Sequence, residues 1–315
     1  MHVFITGGTG LIGTALLAEL LAQGHHVTAL TRSPKRALKR FKHLISAPGV
    51  GSRIQCISSL EYLAHLNNYD AVINLVGEPI AQKRWSTRQK NKLEMSRWHT
   101  TEQLTELIKR SASPPNVFVS GSAIGYYGRH GNDPAPHLTE NSAVGGEDYS
   151  HKLCAKWEHY ARQAKSENTR VILLRTGIVL AKKGGALQKL LPQFQLGLGG
   201  KIGDGKHYMS WIHIDDMVGA ILHLLDNCEC DGTFNLAAPK AVTNAEFAST
   251  FAQVLRRPAR FTTPSSILKL AFGEMADLLI YGHNVYPKAL LDSGYVFQHT
   301  TLESGLTHLF GATSE

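Results

Sequence analysis

The chain has 315 residues, of which 43% are hydrophobic, and a formal net charge of +8. This length suits one large domain, or a main domain with a smaller lobe. No apolar run approaches the roughly 20 residues that cross a bilayer, so we expect no membrane span. The first apolar run passes straight into a glycine-rich turn, which is unlike a secretory signal peptide. We therefore expect a globular, cytoplasmic protein.

The positive charge does not by itself indicate nucleic-acid binding. The basic residues are spread along the chain and do not alternate with aromatic residues, as they do in proteins that bind single strands. One local cluster, between Arg32 and Arg40, fits a polyanionic small ligand better. We expect no nucleic-acid partner.

The cysteines do not form a metal-binding pattern. Cys228 and Cys230 are closely spaced, but no second pair is present to complete a structural zinc site. We expect reduced thiols and no bound metal.

Strand-like apolar runs alternate with helical patterns through the first two thirds of the chain. After an opening strand and helix, the predicted strands are 26–32, 53–58, 70–77, 116–123 and 169–180. The predicted helices are 34–43, 86–110, 147–166 and 186–196. Continuous apolar runs fit parallel strands that are buried on both faces. The alternation predicts an α/β fold with a Rossmann-type, doubly wound parallel sheet, in which ligands bind beyond the carboxyl ends of the strands.

Beyond residue 180 the alternation loosens. A glycine-rich stretch over 184–205, which we expect to help enclose a ligand, precedes a strand in WIHIDD and a helix over 215–226. Mainly helical patterns follow from about residue 243. We predict a Rossmann domain over 1–180, with further sheet contributions from about 207–237. Residues 181–315 are predicted to form a smaller, mainly helical C-terminal lobe that is partly interleaved with it.

Residues 3–13, VFITGGTGLIG, carry the strongest local signal in the chain. A β-branched apolar run leads into a glycine-rich turn, and a helical pattern follows at once. Two readings of the glycines are open: Gly7, Gly10 and Gly13, or the dinucleotide pattern Gly8-x-Gly10-x-x-Gly13. Both bring the backbone close to a diphosphate at a helix N-terminus. We expect these residues to contact a dinucleotide: Gly7, Thr9, Gly10, Leu11, Ile12 and Gly13.

The second predicted strand ends at Thr31 and Arg32. NAD-specific folds place an acidic residue near this point to bind the ribose 2′-hydroxyl, whereas this chain has an arginine. A guanidinium suits a 2′-phosphate through charge-assisted, bidentate contacts, although an exposed surface arginine is the alternative. We predict that the cofactor is NADP(H), with Thr31 and Arg32 at its 2′-phosphate.

Two later strands supply further candidates at their carboxyl ends. Leu75, Val76 and Gly77 are expected to run beside the cofactor, with Gly77 permitting close approach. Ser122 lies at the end of the next strand, just before the tyrosine pair of GYYG. A small hydroxyl at such a position orients a substrate or takes part in turn and capping chemistry, and both roles are open.

Four segments together resemble the extended short-chain dehydrogenase/reductase (SDR) superfamily, namely TGGTGLIG, NLVG, SGSAIGYYG and SWIHIDD. More narrowly, 83–104, 184–216 and 239–259 are similar to the YfcH-like NAD-dependent epimerase/dehydratase family. Residues 273–297 are similar to that family's C-terminal domain of unknown function. The resemblance implies an NADP(H)-binding Rossmann protein with an epimerase or reductase activity on an unidentified substrate.

The chain departs from the superfamily at the acid–base pair. SDR enzymes use Tyr-x-x-x-Lys, in which the tyrosine exchanges a proton with the substrate oxygen and the lysine lowers the pKa of the tyrosine. Here Tyr149 is followed by a leucine at the lysine position, with Lys152 three residues on. Aligning instead on Glu158 puts Ser150 and Cys154 at the pair. Standard proton relay is therefore in doubt in either register.

The resemblance also suggests roles for individual side chains. Tyr149 or Tyr127 is the candidate acid–base residue, with Ser122 orienting the substrate oxygen. Arg97 stands where extended SDRs have an asparagine, and we expect it to hold the diphosphate or a substrate anion. Val179 is expected to pack on the nicotinamide ring.

Two other groups carry charge near these segments. Lys92 lies upstream of Arg97 on the same predicted helix and is a weaker candidate for the same role of binding an anion. His213, Asp215 and Asp216 in WIHIDD fit a metal or acid–base cluster, or the cap of the next helix. We favour capping by Asp215 or Asp216.

The predicted function is that of an NADP(H)-binding, SDR-type epimerase or oxidoreductase. It would act by hydride transfer on an unidentified small molecule, for which a nucleotide sugar is one candidate class, while the cofactor carries the chemistry. The broken Tyr–Lys pair leaves one alternative, a non-catalytic NADP(H)-binding sensor or regulatory protein. We expect a monomer or a homodimer.

Overall fold

The computed structural model describes residues 1–45, 49–130 and 136–311. The strands, β1 to β15 in chain order, are His2–Thr6, His26–Leu30, Ile54–Ile57, Ala71–Asn74, Val117–Ala123, His137–Leu138, Arg170–Thr176, Ile178–Leu180, Gly200–Ile202, Tyr208–Met209, Trp211–His213, Gly232–Leu236, Val242–Thr243, Phe261–Thr263 and Asn284–Val285. The helices, α1 to α12 in chain order, are Leu11–Ala22, Pro34–Arg40, Lys42–Ile45, Thr87–Lys109, Tyr149–Arg162, Gly185–Gln195, Ile214–Asp226, Asn244–Val254, Ser265–Phe272, Asp277–Ile280, Lys288–Asp292 and Leu302–Phe310.

A central sheet of seven parallel strands runs in the order β3-β2-β1-β4-β5-β7-β12. The strand order reverses between β1 and β4, which is the switch point of a doubly wound, Rossmann-type fold. Thr6 pairs with both Leu30 and Asn74, and Asn74 pairs with Ser120. The segments that follow these strands therefore meet at one edge of the sheet. The predicted fold class is confirmed.

Alternate residues of β1 pack on opposite faces of the sheet. Val3 and Ile5 belong to the core that contains α1 and α7, whereas Phe4 belongs to the core that contains α4 and α5. All three side chains are fully buried. Burial of such a side chain stabilises a fold by roughly 1.5–3 kcal/mol, so both helical layers are firmly attached to the sheet.

Two predicted elements are divided in the structure. The helix predicted over 34–43 is broken at the buried Phe41, which ends α2 before α3 begins. The strand predicted over 169–180 is split at Gly177 into β7, in the central sheet, and β8, which pairs with β11. A Cβ at Gly177 would lie 2.6 Å from the Ser210 carbonyl oxygen, so the chain can change partners here only because this residue is glycine.

The C-terminal region builds a second core against the sheet. α6, α8 and α12 contribute to it, with β11 supplying the buried Trp211. After α7 the chain returns to the central sheet as β12, and the boundary predicted at residue 180 stays a prediction. The four cysteines are free thiols. Within the described ranges, no helix combines the length and the apolar character that crossing a membrane would need.

Candidate functional site

The glycine-rich turn between β1 and α1 leaves no room for a side chain at two positions. Gly7 has a φ of +73°, and a Cβ there would lie 2.5 Å from the Leu75 carbonyl oxygen. A Cβ at Gly13 would lie 2.3 Å from the Gly7 carbonyl oxygen. At Gly8 the nearest heavy atom would be 3.6 Å away, which is an ordinary contact. The geometry therefore favours the reading Gly7, Gly10 and Gly13 over the one that begins at Gly8.

The turn presents unpaired backbone donors at its helix end. α1 has Gly10 as its N-cap, with no capping side chain and no acidic residue in its first turn. The first intrahelical hydrogen bond runs from the Thr14 N–H to the Gly10 carbonyl, so the N–H groups of Leu11 and Ile12 precede it. Such free donors, together with the helix dipole, favour an anion such as a diphosphate.

The end of β2 lies beside this turn and is strongly basic. Thr31 follows Leu30, the residue of β2 that pairs with Thr6. The N–H of Thr31 donates to the Ile57 carbonyl at 2.9 Å. Arg32 is exposed, and the exposed Lys35 follows in α2. The chain thus places a solvent-accessible guanidinium one strand away from the glycine turn.

Arg97 lies over the segment that follows β4. A Cβ at Gly77 would lie 3.0 Å from the guanidinium carbon of Arg97, so a side chain there would push the guanidinium aside. The guanidinium donates to the carbonyls of Glu78 and Leu93, at 3.1 and 3.2 Å. It lies 5.2 Å from the ring centre of Trp157. Burial lowers the pKa of Arg97, and no carboxylate pairs with it in the part of the chain that the structure describes.

Ser122 lies in a buried polar cluster at the end of β5. Its hydroxyl donates to Oε1 of Glu158 at 2.8 Å. The Arg175 guanidinium binds the same carboxylate, with Nε 2.8 Å from Oε1 and Nη2 3.1 Å from Oε2. The three residues are only 1–5% exposed. The ion pair therefore fixes the position of the serine hydroxyl.

The tyrosine pair of GYYG packs on this cluster. The Arg175 guanidinium carbon lies 3.4 Å from the ring centre of Tyr126 and 5.0 Å from that of Tyr127. Tyr127 is fully buried, and its hydroxyl donates to the Asn235 side-chain oxygen at 2.7 Å. Burial raises the pKa of Tyr127. The structure thus brings Ser122 and Tyr127 to the same arginine, with the tyrosine hydroxyl pointing towards β12.

Tyr149 belongs to a different group of side chains. Its ring packs edge-on against Trp85 at 4.9 Å, and the Lys90 ammonium lies 4.4 Å from its centre. The hydroxyl donates to the Lys90 carbonyl at 3.3 Å. Burial, with the nearby Glu94, raises the pKa of Tyr149 well above its usual value of 10. No contact joins Tyr149 to Ser122 among the described residues.

The two registers proposed for α5 face different neighbours. A Cβ at Gly125 would lie 3.1 Å from Cβ of Ser150 and 3.7 Å from Sγ of Cys154. These two side chains therefore face the segment that follows β5. Glu158 is four residues beyond Cys154 on α5 and so lies on the same face of the helix. Burial raises the pKa of the Cys154 thiol to about 12, so the thiol stays protonated at neutral pH.

Val179 and the first turn of α1 meet at the second glycine-rich segment. A Cβ at Gly185 would lie 3.3 Å from the Val179 carbonyl oxygen and 3.1 Å from a methyl carbon of Leu11. Val179 also packs against the core that contains α1. Val179, predicted at the nicotinamide, and Leu11, predicted at the diphosphate, therefore lie on either side of Gly185.

The predicted cap of α7 is wrong. The helix begins at Ile214, and Nδ1 of His213 accepts the hydrogen bond from the Asp215 N–H at 3.1 Å. The buried Asp216 accepts instead from the backbone N–H groups of Gln298 and His299, at 2.7 and 2.9 Å. The helix starts one residue earlier than predicted, so both aspartates lie within its first turn.

A histidine cluster surrounds this cap. Possible ligand atoms of His213, Asp215, His299 and His308 lie within 4.8 Å of one another. His213 already uses both ring nitrogens, since Nε2 lies 3.2 Å from Nδ1 of His308. Burial and the neighbouring imidazoles lower the pKa of His213 to about 4. His213 is therefore neutral at physiological pH and serves as a buried hydrogen-bonding group.

Sequence reasoning did not assign a role to several of these residues. Glu158 served only as a landmark for the register of α5, and Asn235 was not singled out. No local sequence pattern indicates these roles, because the partners are far apart in the chain. Glu158 pairs with Arg175, 17 residues away, and Asn235 pairs with Tyr127, 108 residues away. Arg175 falls inside the strand predicted over 169–180, and nothing near it in the sequence indicates its pairing with Glu158.

The parallel sheet, its switch point and the glycine turn define a Rossmann-type dinucleotide-binding fold. A model of the NAD dependent epimerase/dehydratase family matches residues 3–237, and a model of a domain of unknown function, DUF1731, matches residues 263–309. The chain belongs to the NAD dependent epimerase/dehydratase family.

Similar proteins extend over nearly its whole length. An epimerase family protein of Mycobacterium bovis is 38% identical over 306 residues, which cover 96% of each chain. The human epimerase family protein SDR39U1 is 35% identical over 98% of this chain and 99% of its own. A crystal structure of that human protein (isoform 2) with NADPH has a TM-score of 0.87 and covers 99% of this chain and 100% of its own.

Proposed function

We propose that the chain binds NADP(H) along the edge formed by β1, β2 and β4, and transfers a hydride between the nicotinamide and a small molecule. The observation that carries this proposal is the Gly7–Gly10–Gly13 turn, with its free N–H groups, beside the exposed Arg32. The similar human protein whose crystal structure contains NADPH supports the choice of cofactor.

The residues present fit this cofactor. The close backbone at Gly7 and Gly13 forms a cradle that a Cβ would fill, and the N-terminus of α1 faces it. Arg97, which lacks a carboxylate partner among the described residues, would neutralise the diphosphate. Thr31 and Arg32 would bind the 2′-phosphate, while Leu75 and Val76 line the cleft. Bound nicotinamide would supply the hydride chemistry.

Ser122 and one tyrosine are the proposed polar groups of the substrate site, and Tyr149 lies outside the Glu158–Arg175 cluster that holds Ser122. The Glu158–Arg175 ion pair holds the Ser122 hydroxyl in place. Of the two tyrosines, Tyr149 keeps part of its surface exposed, whereas Tyr127 has none, so we favour Tyr149 as the proton donor. The raised pKa keeps Tyr149 protonated at neutral pH but also makes it a weak acid, so proton donation requires that bound cofactor and substrate lower this pKa.

Stereospecific hydride transfer tests this proposal. Purified protein is incubated with NADPH deuterated at one face of C4, and with a panel of sugar nucleotides and carbonyl compounds. We expect transfer to one substrate class, with kcat reduced by at least tenfold in Tyr149→Phe and by less in Tyr127→Phe. Full turnover in both variants would exclude both tyrosines as the proton donor.

A non-catalytic NADP(H)-binding protein is the second candidate. The observation that favours it is the broken Tyr–Lys pair, together with the full engagement of the Ser122 and Tyr127 hydroxyls by buried partners. Tight binding of NADPH without turnover of any compound in the panel would support it over the enzyme.

A further inference from the structure

A cavity of about 470 Å³ opens where α4 begins. It is lined by the loop 83–86 and by Arg88, Gln89 and Lys92 of α4. Four of its lining residues are cations and none is an acid, so its electrostatic potential is strongly positive. A cleft lined by charge of one sign attracts anions and raises their local concentration.

Among the residues that the structure describes, the cations of the cavity have no acidic partners of their own. Lys90, on the neighbouring face of the helix, pairs with Glu274 at 2.6 Å, and that carboxylate is thereby engaged. Across residues 1–45, 49–130 and 136–311, no ion pair involves Lys83, Arg84, Arg88 or Lys92. All four are exposed and can move to meet a ligand.

The cavity also lies at the N-terminus of the longest helix. α4 has 23 residues, with Ser86 as its N-cap and no acidic residue in its first turn. The Ser86 hydroxyl accepts from the Gln89 N–H, and the Ser86 carbonyl accepts from the Lys90 N–H. The N–H groups of Thr87 and Arg88 therefore stay free, and the positive end of the helix dipole adds to the side-chain charge.

An independent observation comes from Gln89. This residue is only 5% exposed, and its side-chain nitrogen is buried without a hydrogen-bond partner. Buried amide donors are nearly always paired, and Gln89 is one of the residues that line the cavity. A rotation of its side-chain amide would present this unpaired donor to an acceptor bound there. Trp85, which also lines the cavity, is held by its indole N–H, which donates to the Ile80 carbonyl at 2.9 Å.

We propose that this cavity binds a phosphate-class oxyanion of the substrate. Its donors are two amide N–H groups, the Gln89 amide and four cations, a set that matches the several acceptor oxygens of a phosphate or diphosphate. Gln89, Leu93 and Arg97 follow one another at intervals of four, so they share one face of α4. The helical rise of 1.5 Å per residue puts Gln89 roughly 12 Å from Arg97 along the axis. Leu93 between them is fully buried, so a substrate that reaches both residues would pass over the surface beside this face.

This inference rests on the proposed function, and one experiment separates the two. The protein is saturated with NADPH, which occupies the cofactor's own diphosphate site, and is then titrated with inorganic pyrophosphate by isothermal calorimetry. A parallel titration uses glucose 1-phosphate. The variants are Arg88→Gln/Lys92→Gln, Gln89→Leu, and the matched control Lys109→Gln/Arg110→Gln, which removes the same charge from the other end of α4.

We expect pyrophosphate to bind the NADPH complex of the unaltered protein. Its affinity should fall at least tenfold in Arg88→Gln/Lys92→Gln and severalfold in Gln89→Leu, and stay within twofold in the control. NADPH affinity should be unchanged in all variants. Failure of the unaltered protein to bind NADPH would count against the proposed function alone, whereas loss of NADPH affinity in Arg88→Gln/Lys92→Gln would mean that the cavity serves the cofactor and would overturn the substrate site. Tighter binding of glucose 1-phosphate than of pyrophosphate supports an organic ligand. No pyrophosphate binding, or an equal loss in the control, would overturn the site.

Discussion

Arg175 and Glu158 form a two-point ion pair in the interior, with Nε and Nη2 of the guanidinium 2.8 and 3.1 Å from the two carboxylate oxygens. The pair joins β7 to α5 and also fixes the Ser122 hydroxyl. Arg162 adds a further contact to the same carboxylate at 3.1 Å from the exposed side of α5. A proposed substrate-binding hydroxyl thus depends on a buried charge pair.

Replacing Glu158 by glutamine should destabilise the fold strongly. The change leaves the buried Arg175 charge without its counter-ion. Breaking a buried ion pair in this way costs about 3–5 kcal/mol of folding stability. The measurement is the free energy of unfolding from urea denaturation. Glu106→Gln breaks an exposed pair with Lys109 and should cost less than about 1 kcal/mol. Similar losses for the two variants would contradict the assigned role of Glu158.

The two readings of the glycine turn make different predictions for alanine substitutions. Gly13→Ala puts a Cβ within 2.3 Å of the Gly7 carbonyl oxygen, so the turn must open and NADPH binding should fall by at least tenfold. Gly8→Ala meets nothing closer than 3.6 Å and should bind within a few-fold of the unaltered protein. Fluorescence titration with NADPH makes the comparison, and greater damage from Gly8→Ala would restore the other reading.

Stability should rise with pH between about 4 and 6.5 because of His213. Its pKa is about 4 in the folded chain, whereas an unfolded histidine has a pKa of about 6.5. In this window the unfolded state binds a proton at His213 that the folded state does not bind. The contribution of His213 to the free energy of unfolding is therefore complete above pH 6.5 and is lost as the pH falls towards 4.

The effect of His213 is expected to be on the order of 1–3 kcal/mol. His213→Asn keeps a capping side chain and removes the titration, so its unfolding free energy should depend less on pH. The exposed His99→Asn is the control and should keep the full slope. If the curves of His213→Asn and the unaltered protein run parallel between pH 4 and 6.5, His213 does not carry this dependence.

Arg97 should contribute equally to the binding affinity for NADPH and for NADH. If it holds the diphosphate, Arg97→Gln removes a charge-assisted hydrogen bond worth roughly 1.5–3 kcal/mol, so NADPH and NADH should both bind about 10- to 100-fold more weakly. Calorimetric titration of both cofactors provides the test. Unchanged affinity for both would instead assign Arg97 to a substrate anion or to a structural role.

The sequence was informative where a function requires a local pattern. The strand, glycine turn and helix over residues 3–22 were predictable because the backbone geometry itself demands glycine at positions 7 and 13. The central sheet was predictable because its strands are buried on both faces and so are continuously apolar. Both signals lie within short stretches of chain.

The polar interior was not predictable to the same extent. Glu158 is a charged residue on a predicted helix, and nothing nearby in the sequence shows that it is buried against Arg175. The cap of α7 was assigned to an aspartate because aspartate is a common capping residue, yet His213 takes that role. Gln89 acquires its meaning only from a cavity that the loop and the helix form together.

Cofactor selectivity of Arg32→Ala tests the central claim most directly. The exposed guanidinium beside the glycine turn is proposed to bind the 2′-phosphate, which NADH lacks. We predict that NADPH affinity, measured by calorimetry, falls by about 10- to 100-fold, corresponding to roughly 1.5–3 kcal/mol for a charged hydrogen bond. NADH affinity should stay within twofold, and the distant Arg110→Ala should change neither. Equal losses for the two cofactors, or no loss for NADPH, would contradict the account.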